Sequence, residues 1–288
     1  MSANHQVSTS TGKVLPFNPS ELALEKLVDK ALTEPGFVSK AFTTFYGYSL
    51  NNRLSALWQC MVRGIEPGPL ASYRAWQALD RQVRQGEKAI LILHPIYHKE
   101  TDEKGVERTV LTGFTYKPSA FVLAQTDGEE LELAAEVPFD LEAVLTELHI
   151  TAVPFEEMDG NVLGYATSKR QVSVSPVAPD PARVLFHEIG HVVLGHVEKN
   201  AAVDYERFGR STQEVEAELF SYLVTEMLGI DAANEKARAE SRGYIQHWRA
   251  ESNEWSEKNS RRVLSAVDRF LGLTKKSPST SIPAEQAN

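Results

Sequence analysis

His187-Glu188-Ile189-Gly190-His191-Val192-Val193-Leu194-Gly195-His196 is the stretch on which the reading of this chain turns. It begins with an H-E-x-x-H. The preceding Ala182-Arg183-Val184-Leu185-Phe186 is apolar in a helical rhythm, and Asp180-Pro181 reads as an N-cap followed by a first-turn proline. The whole is expected to be one helix. Residues four apart lie on one helical face, so His187 and His191 offer two imidazoles to a single ion. Glu188 lies about 100° further round, placed to reach a water on that ion rather than the ion itself. Zinc takes a few N/O ligands, keeps a position open for chemistry and acidifies its water. The competing reading is a pair of core histidines. Against it, two histidines and a glutamate are costly to bury on an apolar helix without a partner.

Two histidines do not complete a site. The metzincin pattern requires a glycine at position 194 and a histidine at position 197, and the chain has Leu194 and Val197. His196 would lie about 140° round the helix from His191, so it is expected to point elsewhere, as a helix-end residue near the negative dipole end. A third ligand must come from further along. Gln213-Glu214-Val215-Glu216-Ala217-Glu218-Leu219-Phe220-Ser221-Tyr222-Leu223-Val224 reads as a second amphipathic helix with acids on an apolar background. Glu214 and Glu218 share a face and Glu216 lies on the other. One of the first pair is expected to ligate and the other to hold the second ring nitrogen of a histidine. Glu214 is assigned as ligand and Glu218 as its support; a solvated acidic face is the alternative. Helix-HExxH, loop, helix-Glu is a gluzincin-like arrangement.

The chain has 288 residues, 42% hydrophobic and 24% charged, which suits a soluble protein of two domains. Its net charge of -9 argues against bulk attraction to nucleic acid, so any such binding must be local. Charge is uneven. Between positions 53 and 99 lie Arg53, Arg63, Arg74, Arg81, Arg84, Lys88 and Lys99 against few acids, whereas 127–159 and 198–218 are acidic. Cys60 is the one cysteine, which excludes an internal disulfide and suits a reducing cytosol. Beside Trp58 and Met61 it reads as core. Residues 1–13 are polar and unlike a signal peptide, and no apolar run approaches the roughly 18 residues that span a bilayer. A cytoplasmic protein without a membrane partner is expected.

The periodicity predicts an α+β chain. Residues 1–18 form a disordered tail and 19–126 a first domain. That domain holds helices from Pro19-Ser20 to Pro35-Gly36, over 37–46, over 48–59 and over 72–82. A small antiparallel sheet follows, with strands at 88–97, 108–116 and 120–124 and a hairpin loop Asp102-Glu103-Lys104-Gly105. An acidic connection covers 127–136. The second domain, 137–273, has a helix at 139–148 and short strands at 151–154, 162–165 and 169–175. The last of these is read as a half-buried edge strand above the cleft that pairs with extended substrate. Then come the motif helix, a loop at 200–211, the glutamate helix and helices at 235–249 and 256–271. Residues 274–288 form a second loose tail.

In the first domain Tyr46, Tyr48, Trp58, Tyr73 and Trp76 are interleaved with Asn51, Asn52, Arg53, Arg74, Arg81 and Arg84. Aromatic faces that stack bases, with cations for phosphates, describe a single-strand binder, although such stripes are also how cores are written. Tyr48-Ser49-x-x-Asn52 with Gln59, Tyr73-Arg74-x-Trp76, and Gln82-Val83-Arg84-Gln85-Gly86-Glu87-Lys88-x-Ile90-x-Ile92-Leu93-x-Pro95 resemble the N-terminal domain of ArdC-type antirestriction proteins. Where that family has Leu-Gly-Arg, this chain has Leu79-Asp80-Arg81. The HExxH and Glu214-Val215-Glu216-Ala217-Glu218 resemble the same family's metallopeptidase domain and, more distantly, the ImmA/IrrE peptidases. The resemblance implies a single-stranded DNA-binding domain joined to a zincin-like peptidase domain, in a mobile-element protein that protects incoming DNA from restriction. DNA contacts are expected from Tyr48, Asn52, Arg53, Arg74, Trp76, Arg84 and Lys88. The metal set is His187, His191 and Glu214 on Zn2+, with Mn2+ as the alternative ion, Glu188 as base and Glu218 behind. The partners are single-stranded DNA and a protein substrate that the sequence does not name. Two alternatives stay open: a non-enzymatic DNA-binding shield with a structural metal, and an ImmA-like peptidase that cleaves a regulatory protein.

Overall fold

The computed structural model describes residues 22–45, 47–101, 106–131, 139–156, 162–198, 201–230, 235–251 and 255–273, with the side chains of 201–211 and 250–251 excluded. The expected tails, the hairpin loop 102–105, Tyr46 and the segment 132–136 of the acidic connection lie outside them.

Three helices open the chain: α1 (Leu24–Thr33), α2 (Phe37–Thr44) and α3 (Leu50–Arg63). The spacing of Leu24, Leu27, Val28, Ala31 and Leu32 makes α1 amphipathic, and all five are buried. Then come β1 (Leu70–Ala71), α4 (Tyr73–Ala78) and β2 (Gln82–Val83), followed by a long hairpin of β3 (Ile90–Thr101) and β4 (Glu107–Val122), and by β5 (Thr126–Asp127). The strand expected at 120–124 is not separate. Its first three residues are the end of β4, with Ala120 opposite Ile90 of β3 and Phe121–Val122 opposite β1, and Leu123–Gln125 is a 3-10 turn. The hairpin joins β1 in the order β1-β4-β3, and β2 pairs with β5.

Two side-chain amides fasten α3 to the hairpin. Asn52 donates through Nδ2 to the Leu93 carbonyl (3.2 Å) and accepts from the Leu93 N–H through Oδ1 (2.8 Å). Gln59 does the same at Leu91, at 2.9 and 2.8 Å. Each amide reads one residue of β3 as a neighbouring strand would. Asp80 has φ +55°, a left-handed position that aspartate takes more readily than most residues.

The remainder comprises α5 (Leu141–Glu147), β6 (Thr151–Ala152), β7 (Gly164–Ala166), β8 (Gln171–Val174), α6 (Pro181–Val193), α7 (Ala201–Leu228), α8 (Glu235–Glu251) and α9 (Glu257–Gly272). Two expectations are corrected. The sheet order is β6-β8-β7, so β8 is the middle strand and β7 takes the edge. Nor is β8 half-buried: Val172 and Ser173, on opposite faces, are both buried, because alternation of residue type reveals neither how many neighbours a strand has nor what covers its polar face. Residues 201–211 of the loop expected at 200–211 are helical, since α7 begins at Ala201. Gly209 and Ser211-Thr212 look like breakers, but Ala201, Ala202, Glu206 and Arg207 are helix formers and one glycine costs only about 1 kcal/mol.

One hydrophobic cluster runs through both ends of the chain, with Leu27, Phe45, Leu57 and Ile90 packed in the same core as Phe186, Phe220 and Phe270. Polar ties cross it. The Tyr222 hydroxyl donates to the Ala31 carbonyl (3.1 Å), and Arg249 grips Asp29 (2.7 Å) and Glu25 (2.6 Å). A small second cluster holds Ala71, Trp76 and Val83. Cys60 is fully buried, and burial pushes its thiol up to about 12, as befits a core residue. Among the described residues no helix is long and apolar enough to cross a membrane.

The α3 N-terminus is capped from the far end of the sequence. Both carboxylate oxygens of Asp268, on α9, accept from the Leu50 N–H, at 2.7 and 2.9 Å. Asp268→Ala is expected to lower stability by about 0.5–2 kcal/mol, the usual worth of a cap. Urea unfolding checks this, and an unchanged midpoint and slope would contradict it.

Candidate metal centre

The site is built where α6 crosses α7. Asp180 caps α6 by accepting from the Arg183 N–H (3.0 Å), and Pro181 fills the first turn. The helix then presents His187 and His191 toward α7. Gly190 lies against that helix. A Cβ there would meet Phe220 Cδ1 at 3.1 Å and the Ala217 backbone at 3.3 Å, so the missing side chain is what lets the two backbones come this close.

The close crossing brings the ring nitrogens to the carboxylates. His187, His191 and Glu214 each offer one ligand atom, all within 4.8 Å of one another, a spacing one cation can bridge. Glu214 Oε2 lies 3.3 Å from His187 Nε2 and 3.5 Å from His191 Nε2, and the two Nε2 atoms are 3.1 Å apart. None of the three is fully buried, so their outer side opens on a cleft of about 1150 Å³. A hard carboxylate with two imidazoles and an open side is a donor set that suits zinc and admits manganese.

Glu218, one turn beyond Glu214, faces the other nitrogen of His187: its Oε2 lies 3.0 Å from Nδ1. Its second oxygen accepts from Arg183 Nε (3.1 Å), Arg183 Nη2 and the Ser241 hydroxyl (2.8 Å). Burial alone would lower the His187 pKa, but hydrogen bonds to Glu214 and Glu218 and the nearby carboxylates outweigh it and hold the ring up at about 9. Correspondingly, Glu214 is held well below the usual carboxylate range by both histidines. Glu218 is also lowered: burial opposes this, but His187, Arg183 and Ser241 prevail.

Glu188 is buried beside the histidines, and burial raises its carboxyl pKa against the pull of the two rings. The edge strand β7 presses on it at Gly164. A Cβ there would meet Val184 Cγ1 at 2.6 Å, the Ser173 carbonyl at 3.0 Å and Glu188 Cγ at 3.1 Å. The Tyr165 hydroxyl donates to the Pro154 carbonyl (3.3 Å), and the Tyr205 side chain lies outside the described residues.

His196 does not point elsewhere. The helix ends at Val193, so the 140° rotation never applies. Gly195 takes φ +78° and the His196 N–H returns to the His191 carbonyl (2.9 Å), a helix stop that swings the ring back beneath His191. His196 Nδ1 lies 3.0 Å from His191 Nδ1, and its Nε2 lies 2.9 Å from Glu216 Oε2. This link and Ser241 were missed by sequence reasoning. Arg183 stands four residues before His187 and could have been found by helical spacing; Ser241 comes from α8 with no local signal.

The residues singled out for DNA contact do not share one exposed face. Asn52 is spent on Leu93. Arg53 is buried, with Nε on the Tyr48 carbonyl (2.6 Å) and Nη1 on the Phe42 carbonyl (3.2 Å). Trp76 is fully buried and donates to the Phe121 carbonyl (2.8 Å). Tyr48 is half-buried, its hydroxyl pushed up to about 12 by burial. Arg74, Arg84 and Lys88 are exposed, and Arg84 reaches Glu87 (3.0 Å) and Asp127 (3.5 Å).

Residues 28–143 match the N-terminal domain of anti-restriction factor ArdC. Among solved structures, the metal-free antirestriction ArdC protein from R388 plasmid is 16% identical, with a TM-score of 0.50 over 90% of this chain and 97% of that one. Its Mn(II)-bound form is 15% identical, with a TM-score of 0.49 over the same shares. No curated protein matches. The metal-free likeness shows a shared α+β fold.

A ring held at about 9 carries a proton that a ligating nitrogen must lose. Below that pH, cation affinity is expected to fall up to tenfold per pH unit, and above it to level off. Zinc titrations between about pH 6.5 and 9 check this; an affinity flat across that range would contradict it.

Proposed function

As the chain is of the ArdC type, with that family's N-terminal domain at residues 28–143 and the fold of an ArdC protein over 90% of its length, we propose that it is an antirestriction protein combining a single-stranded DNA-binding domain (19–126) with a zinc peptidase domain (137–273). One observation carries the enzymatic half. His187, His191 and Glu214 converge on a cleft, with the buried carboxyl of Glu188 beside them. A site that only stiffened the fold would need neither an open side nor an acid–base group.

His187, His191 and Glu214 would hold the ion, and Glu218 orients His187. When bound, the ion would supply Lewis acidity, acidifying a water and polarising a carbonyl. Glu188 takes the proton of the attacking water at its carboxylate and passes it to the leaving amine. Its raised pKa matches a group that must hold a proton for part of the cycle. The edge strand β7 lines the cleft through Gly164, Tyr165 and Ala166, so an extended peptide docks along it by main-chain hydrogen bonds. Gln213 lines the same cleft. Its buried Nε2 has no partner among the described residues and is an amide donor that could serve a substrate carbonyl. In the DNA-binding half, the exposed Arg74, Arg84 and Lys88 contact phosphates. Tyr48, Asn52, Arg53 and Trp76 hold the surface that presents them.

Glu188→Gln separates this reading from a DNA-binding shield. Protection of unmodified plasmid DNA entering a restricting host should be lost, with peptidase turnover down by about 10²–10⁴-fold. Zinc content and salt-dependent affinity for single-stranded DNA should be kept. Unchanged protection by this variant would overturn the peptidase reading.

A further inference from the structure

Behind the metal centre lies a polar chain that the mechanism above does not use. His196 and Glu216 are almost wholly buried, at 7% and 1% exposed. Glu216 Oε1 accepts from Asn259 Nδ2 (3.0 Å) and Oε2 from Arg262 Nη1 (3.2 Å), both donors coming from α9. Arg262 also donates to the Leu194 carbonyl, at the end of α6. The Glu216 carboxylate can only accept, so His196 Nε2, 2.9 Å away, must bring it a hydrogen. That leaves the lone pair of a neutral His196 on Nδ1, which faces His191 Nδ1 at 3.0 Å. A single proton fits between those two nitrogens, and it belongs to His191. The lone pair of His191 is then on Nε2, the atom that meets Glu214 and His187.

We propose that His196 and Glu216 are positioning residues that lock His191 in the tautomer able to ligate, through a carboxylate–imidazole–imidazole chain anchored on α9. His187 gets the same service from a single carboxylate, Glu218. His191 gets it through a second ring because Gly195 turns the chain back beneath it. This inference rests on the metal reading above.

Two measurements test it on the full chain. Long-range 1H–15N spectra of the metal-free wild type read the tautomer directly: His191 should carry its proton on Nδ1 and His196 on Nε2. Competition with a chromophoric chelator then reads zinc affinity. His196→Leu fills the space without an acceptor and should lose about 10–100-fold, as other supports of ligating histidines do. Glu216→Gln should weaken binding in the same direction. His196→Asn puts an oxygen where Nδ1 accepts and should recover most of the affinity. Unfolding curves check that each variant is folded; a merely structural role would lower their midpoints without altering tautomer or affinity. The proposal is overturned if His191 carries its proton on Nε2, or if folded His196→Leu binds zinc as tightly as wild type. If the wild type takes up no zinc, the metal reading fails, and the His191 tautomer alone decides for or against the chain.

Discussion

The closeness of α6 to α7 at Gly190 over Ala217 is the constraint on which the rest of the site depends. Imidazole and carboxylate side chains are short, and their nitrogens and oxygens meet within 3.5 Å only because no Cβ separates the helices there. Two further glycines complete the geometry by different means. Gly164 lets an edge strand press on Glu188, and Gly195 returns the chain so that His196 lies under His191. Each would be unremarkable alone; together they set the depth and the walls of the centre.

Burying this much polar chemistry is costly unless every group is partnered. Apart from Arg183, which stands on α6 itself, the partners come from beyond the two helices that make the centre. Ser241 on α8 and Arg183 satisfy Glu218; Asn259 and Arg262 on α9 satisfy Glu216. The same α9 carries Asp268, which caps α3, and Arg261, whose guanidinium sits 4.6 Å from the ring of Phe114 on the hairpin. One helix thus packs against the metal centre, the opening helices and the hairpin at once. The N-terminal helices and the centre share a core, and neither is built without the other end of the chain.

Much of this was legible in the sequence where the relevant contacts are local. Helical spacing put His187 and His191 on one face and Glu214 and Glu218 on another, and apolar periodicity found α1, α3 and α6. Local pattern fails where long-range pairing decides. The alternation at 171–174 could not reveal that β8 has neighbours on both sides, and the run at 120–124 looked like a strand of its own because its partners, β1 and the start of β3, lie far earlier in the chain. His196 was misjudged for a related reason: rotation was counted along a helix that stops at Val193. In the N-terminal half, the aromatic and amide residues that resemble a base-stacking surface also do structural work. Asn52 reads Leu93 and Trp76 fills a core, and side-chain type alone does not distinguish a hydrogen bond to a strand from one to a base.

The most direct test of the central claim is the X-ray absorption spectrum of the zinc-loaded full chain. Two imidazole nitrogens and a carboxylate oxygen should appear at about 2.0–2.2 Å with room for one more light donor, and one imidazole should disappear in His191→Ala. A spectrum with sulfur in the first shell, with fewer than two imidazoles, or unaltered by that substitution would contradict a centre made by His187, His191 and Glu214.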